Sequence, residues 1–246
     1  MKVKMMGLAV CLLAIVAGCR KIEKPGVKNG EENSVQKIGI ARSNNPFEKI
    51  GQNHNEVVAA YMKHLEAAGD TSRQARIKFI VQYNKEFKGK DVSKTVGTIA
   101  YKFDRETCMA PFQKLGYRGE TIKCVGDIWD TIEALKEHRD YGRMQKELLE
   151  IEQEIAHLKI PEEERANLFK VSAVAKYSCA FYKEKVLDQP IKSNGRSLFT
   201  RILGAVIVAH ADFTGANLGV LFGDVEGVSE ELSTYALFWA YCNGWG

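Results

Sequence analysis

The stretch that most constrains this chain is Leu198 to Gly223, LFTRILGAVIVAHADFTGANLGVLFG, an apolar run threaded with small residues. Gly215, Gly219 and Gly223 recur every four residues, so on a helix they form one stripe almost free of side chains. A glycine in a helix interior costs roughly 1 kcal/mol relative to alanine, so three in register call for a compensating contact. Close approach by another helix supplies it, because bare backbones can come nearer to one another. Gly204, Ala205, Ala209 and Ala216 extend the smooth surface. The expected architecture is all-α: a single domain of about six to eight helices around a Gly/Ala-rich central helix. A membrane-inserting element of a pore former or bacteriocin-like toxin is the other reading, since the run is long enough to span a bilayer. Arg201, His210, Asp212 and Asn217 interrupt it, and a mid-bilayer Asp costs roughly 2.5–3.5 kcal/mol, which favours a core helix.

The N-terminus carries an address. Lys2 and Lys4 precede a short apolar run from Met5 to Ala17, the pattern of a secretory signal rather than of a bilayer span. The run ends Val16-Ala17-Gly18-Cys19, which resembles the bacterial lipobox. That resemblance implies cleavage before Cys19 and acylation of Cys19, including by palmitate-type chains, against the alternative of an ordinary signal peptide with a chance cysteine. Two or more acyl chains anchor stably where one does not. No aspartate follows Cys19 and no acidic cluster stands beside it, so an outer-membrane lipoprotein is expected, its periplasmic or surface face left open. Lys24 to Gln36 is rich in Gly, Asn, Glu and Lys and buries no core, hence a flexible tether. The division is then 1–18 signal peptide, 19–45 lipidated tether and 46–246 helical domain.

Removing Lys2 and Lys4 with the signal takes the formal charge from +4 to +2, and no long basic run remains, so nucleic acid is not an expected partner. The membrane, through lipid, and an envelope protein are. Cys108, Cys124, Cys179 and Cys242 remain after cleavage and allow two disulfides in three connectivities, with Cys108–Cys124 and Cys179–Cys242 favoured over four buried thiols by the short first loop. No CxxC or Cys/His spacing suggests zinc, and neither metal nor cofactor is expected.

Along the chain, Phe47, Ile50, Val57, Val58, Tyr61, Met62 and Leu65 give a helix over Phe47–Ala68, with Asn45 as cap, Pro46 in the first turn and Gly69 as stop. Thr71 caps a second helix ending before Gly89, and the two make an antiparallel hairpin. Residues 92–126 are read as helix, although Val96–Phe103 is also rich in strand formers. Asp127 is expected to cap a long helix whose seam is Tyr141, Met144, Leu148, Ile151, Ile155 and Leu158. Pro161, followed by Glu162, Glu163 and Glu164, starts a helix running to about Leu187. Ser229, Glu230 and Glu231 open the last helix, whose Tyr235, Phe238, Trp239 and Tyr241 are expected to cover the glycine stripe.

One constellation carries chemistry. His54, Asn55 and Glu56 on the first helix, with His210 and Asp212 on the central one, would supply two imidazoles and a carboxylate for a hydrolase or a metal-binding site. No HExxH fixes their spacing, no GxSxG or phosphate loop occurs, and a buried polar cluster that sets helix register explains the same residues. The leading expectation is therefore a non-enzymatic envelope protein that binds a partner or joins an assembly.

Asn45-Pro46-Phe47-Glu48-Lys49-Ile50-Gly51-Gln52-Asn53-His54-Asn55-Glu56 resembles the N-P-aromatic-x-x-aliphatic-G-x-x-H-N element that opens a group of uncharacterised lipoproteins of Bacteroides-type bacteria. Ala211 to Gly219, ADFTGANLG, resembles the A-D-x-x-G-A-x-x-G element near their C-termini. The resemblance implies a secreted, lipid-anchored helical protein and brings no catalytic residues with it.

Overall fold

The computed structural model describes residues 43–68, 72–97, 104–188 and 198–240. Within them the chain forms eight principal helices, and no strand occurs among the described residues. Helix α1 is Glu48–Ala68, α2 Arg73–Tyr83, α3 Arg105–Lys114 and α4 Gly119–Glu133. Helix α5 is Tyr141–His157, α6 Glu162–Tyr182, α7 Leu198–Phe222 and α8 Val225–Ala240. A single turn, Leu135–His138, extends α4, and π-helical turns at Asn84–Lys88 and Lys183–Leu187 extend α2 and α6. The expected all-α domain with its central helix is what forms: α7 packs on α8, α6, α3 and α4.

The glycine stripe explains the closest of these contacts. A Cβ built on Gly215 would lie 2.6 Å from Ser229 Cα, and one on Gly219 would lie 2.6 Å from both Asp224 O and Val225 Cα. No real Cβ tolerates such distances, so the α7–α8 hairpin depends on bare backbone at both positions. Gly223 plays a different part: at φ +67° it ends α7 and turns the chain back. The stripe is therefore covered by the first turns of α8, not by its aromatic residues. Tyr235 and Phe238 instead flank the guanidinium of Arg76 on α2, which lies 5.5 and 5.1 Å from their ring centroids. The side chain of Trp239, and Tyr241 altogether, lie outside the described residues.

Several starts and stops move. Helix α5 begins at Tyr141, where Asp140 accepts from the Arg143 N–H and Arg139 breaks the preceding turn at φ 53°. Asp127, expected as its cap, is an interior residue of α4. The seam itself packs inward through Met144, Leu148, Ile151 and Ile155. Ser72, one residue after the expected Thr71, caps α2 by accepting from Ala75. Helix α8 begins four residues before Ser229, with Asp224 accepting from Gly227, so Glu230 and Glu231 lie in its second turn and are buried. Residues 93–97 form turns, and α3 and α4 occupy most of 105–126 as expected, while Thr98–Phe103, Gly69 and Thr71 lie outside the described residues.

Candidate functional site

The side chains singled out on α1 and α7 do not assemble as one site. They divide between a sealed core contact and an open cleft.

The core contact joins His54 to Asp212, the imidazole Nε2 lying 3.2 Å from carboxylate Oδ2, both side chains fully buried. Helix α1 packs chiefly on α6 and α8, and the His54 side chain reaches across to α7. Asp212 Oδ2 also accepts from Ser178 Oγ on α6 at 2.6 Å. On the far edge of the ring, His54 Nδ1 lies 3.0 Å from Ser229 Oγ, whose single proton is donated to the Glu226 carbonyl at 2.9 Å. Serine, histidine and aspartate thus stand in a line, the order of a nucleophile, its base and an orienting carboxylate. The surroundings forbid that chemistry. Ser229 is fully buried, and its backbone is the surface on which Gly215 rests too closely for even a methyl group. A reacting carbonyl needs space about 3 Å from the hydroxyl, and the fully buried Ser229 has no opening to solvent through which one could reach it. With Ser178, the trio ties α1, α6, α7 and α8 together.

Asn55 and Glu56 leave this cluster. Asn55 donates to the Tyr177 carbonyl on α6 at 2.9 Å, and Glu56 is exposed on the opposite face of α1. Among the described residues no three His, Cys, Asp or Glu side chains converge as a metal would require. Cys108, Cys124 and Cys179 are buried free thiols, so the favoured Cys108–Cys124 bridge is not formed. Cys108 faces α7 instead, accepting from Asn217 Nδ2 at 3.0 Å, and burial pushes its thiol pKa up. Cys242, the partner proposed for Cys179, lies outside the described residues, as do Cys19 and residues 1–18, the expected signal peptide.

His210 lies elsewhere. It is two residues from Asp212, a separation that turns it about 200° around the helix. Its ring stacks on Trp129 of α4 with centroids 3.8 Å apart and planes 12° from parallel. Nε2 donates to the Trp129 carbonyl at 3.3 Å, and Nδ1 lies 3.4 Å from Glu133 Oε2. Burial lowers the His210 pKa to about 4, although the Trp129 carbonyl and Glu133 pull the other way. This pair forms one wall of an open cleft of about 420 Å³, bounded also by Arg105, Asp130, Glu133 and Ile207. Arg105 makes a two-pronged ion pair with Asp130, at 2.9 and 2.8 Å. The cleft therefore combines a buried aromatic wall with an exposed charged rim, to which Asp104 and Lys136 also contribute.

Two buried ionic clusters escaped the sequence reading. Lys176, fully buried in α6, donates to Glu48 at 2.6 Å, to Glu152 at 2.9 Å and to Ser43 at 2.9 Å. Glu152 also accepts from Asn45 and Ser172, so the residues just ahead of α1 are hydrogen-bonded into the joint between α5 and α6. Burial pushes the Glu48 carboxyl up, but hydrogen bonds from Lys176, Ser43 and Tyr177 outweigh it and the pKa falls below the ordinary value. The signal for this cluster is one lysine inside the apolar run Val171–Tyr182. Glu230, fully buried, accepts from Asn84 at 2.6 Å and from Lys88 at 3.2 Å, and burial holds its pKa above the ordinary range. Asn84 and Lys88 both come from the π-helical turn after α2, a feature that no residue pattern announces.

The two elements that resemble the lipoprotein group, 45–56 and 211–219, meet at the His54–Asp212 contact. No protein-family model, curated protein or solved structure matches this chain.

Proposed function

We propose that this chain is a lipid-anchored protein of the outer membrane that acts by binding rather than by catalysis, with the Trp129–His210 cleft as its binding surface. The observation that carries this reading is the contrast in access. The Ser229–His54–Asp212 line that would suit acyl transfer is sealed by helix packing, whereas the cleft is open to solvent. The address rests on the basic start, the short apolar run and Cys19 in its lipobox-like setting, and on the likeness to lipid-anchored proteins at 45–56 and 211–219.

A membrane-active role gains less support. The segment Arg201–Phe222 is long and apolar enough to cross a bilayer, but 78% of its most apolar window is buried by other helices. Releasing it into lipid would strip Asp212 of Ser178 and His54, a change opposed by the roughly 2.5–3.5 kcal/mol cost of a mid-bilayer Asp.

The anchoring half of the proposal is tested by mass spectrometry of the mature N-terminus, which should find acylated Cys19, and by fractionation of Cys19→Ala. Release of the variant into the soluble fraction is the expected result; unchanged membrane retention overturns the anchor.

A further inference from the structure

The wall of the cleft places two hydrogen-bond acceptors face to face. The Trp129 carbonyl can only accept, so the His210 nitrogen beside it, Nε2, carries the proton. In the neutral ring this leaves Nδ1 as a lone pair, and burial keeps the ring neutral at ordinary pH. Nδ1 is 3.4 Å from Oε2 of Glu133, another acceptor. The second oxygen of Glu133, Oε1, accepts from Lys136 at 2.6 Å, which leaves Oε2 toward the histidine. Two adjacent acceptors repel each other unless a third group donates to both. Glu133 is about half exposed, so that donor can arrive from solvent.

The chemistry of the donor is narrowed by the rest of the rim. A metal ion would need a third ligand of the right type, and no such trio converges among the described residues. An anion would meet two acceptors and the carboxylates of Asp104 and Asp130, while the two cations of the rim are engaged, Arg105 with Asp130 and Lys136 with Glu133 Oε1. A group carrying several N–H donors and a positive charge fits both acceptors at once. Ile207 and Trp129 offer apolar surface beside them.

We infer that the cleft takes a small organic amine, its ammonium donating to His210 Nδ1 and Glu133 Oε2 and its apolar part lying against Ile207 and Trp129. This inference rests on the reading of the cleft as the binding surface. The donor set suits a free amine, and benzylamine is a minimal probe with one ammonium and one apolar body. Binding of such a fragment is expected with a dissociation constant on the order of 1 mM.

The test titrates the full-length protein, in nonionic detergent, with benzylamine, benzyl alcohol and benzoate, following the indole N–H of Trp129 by nuclear magnetic resonance. Benzylamine should saturate, with the alcohol and the acid weaker by about tenfold or more, the worth of one charge-assisted hydrogen bond. Glu133→Gln keeps the shape of a partly exposed side chain and should weaken benzylamine by about tenfold. Glu137→Gln, exposed and outside the cleft, should leave it unchanged. Equal binding of benzyl alcohol, or a Glu133→Gln variant with undiminished affinity, overturns the amine. Saturation by benzyl alcohol or benzoate alone would leave the cleft as a binding surface and sink only the amine, whereas silence from all three sinks both.

Discussion

Asp212 and His210 are two residues apart on one helix, yet they belong to opposite kinds of environment. Asp212 points into a joint of four helices where His54, Ser178 and Ser229 are, like it, fully buried. His210 points to the other side, into a wall shared with Trp129 and open at Glu133. The residue types are similar in the two places: an imidazole, a carboxylate, hydroxyls or carbonyls. Access alone separates them. A serine, a histidine and an aspartate in line do not make a reaction centre when the serine's backbone is itself the packing surface.

The largest effect should come from breaking the sealed side. Asp212→Ala leaves His54 and Ser178 buried without their shared partner, and removing one member of a buried pair typically costs 3–5 kcal/mol, roughly 10 °C in melting midpoint for a domain of this size. The nuclear magnetic resonance signals of Trp129 and His210 should keep their native positions in whatever fraction stays folded. A cost under about 1 kcal/mol, the range of exposed pairs, would mean that the joint is wet and the contrast false.

Next comes the stripe that does the sealing. Gly219→Leu forces side-chain atoms into the Asp224 and Val225 backbone and should destabilise by about 3 kcal/mol or more, toward the upper end for overpacked cores. An unshifted thermal midpoint would show that α8 does not rest on α7 there. This contact was legible in the sequence because glycine at every fourth position has few other uses in an apolar helix. What covers it was not legible. The aromatic residues of α8 looked like the natural cover, but bare backbone seeks bare backbone, and the small first turns around Val225, Val228 and Ser229 fit closer.

The same limit applied to the candidate site. The sequence placed His54 and Asp212 on helices long enough to meet, and they do. It also offered His210, two residues from Asp212, as a side chain that His54 could meet. On a helix that spacing means opposite faces, so His210 went to α4. Nothing in the residue pattern of α4 marks Trp129 as its partner, because a stacked pair 81 positions apart leaves no local period. Lys176 and Glu230 were missed for a related reason: a single charge in a helix reads as surface until its partners from α1, α5 and the π-helical turn are in view.

The open side should show itself in acid. The His210 pKa falls from the ordinary 6.5 to about 4 in the folded protein, so the unfolded chain takes up the proton first. Stability contributed by the neutral ring is present above about pH 6.5 and declines as pH drops toward 4, by at most roughly 3 kcal/mol. Glu230 acts in the opposite sense, since its raised pKa makes the folded state the better proton acceptor on acidification. Comparing urea midpoints of the native protein and His210→Phe across this window isolates the histidine. The variant should lose part of the slope, and identical slopes would show that the ring is solvated in the folded state.

The most direct test is covalent. A fluorophosphonate probe reacts with serine hydroxyls that are both activated and reachable, and the Ser229–His54–Asp212 line would supply activation if reagent could enter and the Ser229 proton turned from the Glu226 carbonyl to His54. Native protein treated with the probe and mapped by mass spectrometry should carry no adduct at Ser229. A stoichiometric adduct there, lost in His54→Ala, would show an open nucleophile and contradict the sealed joint.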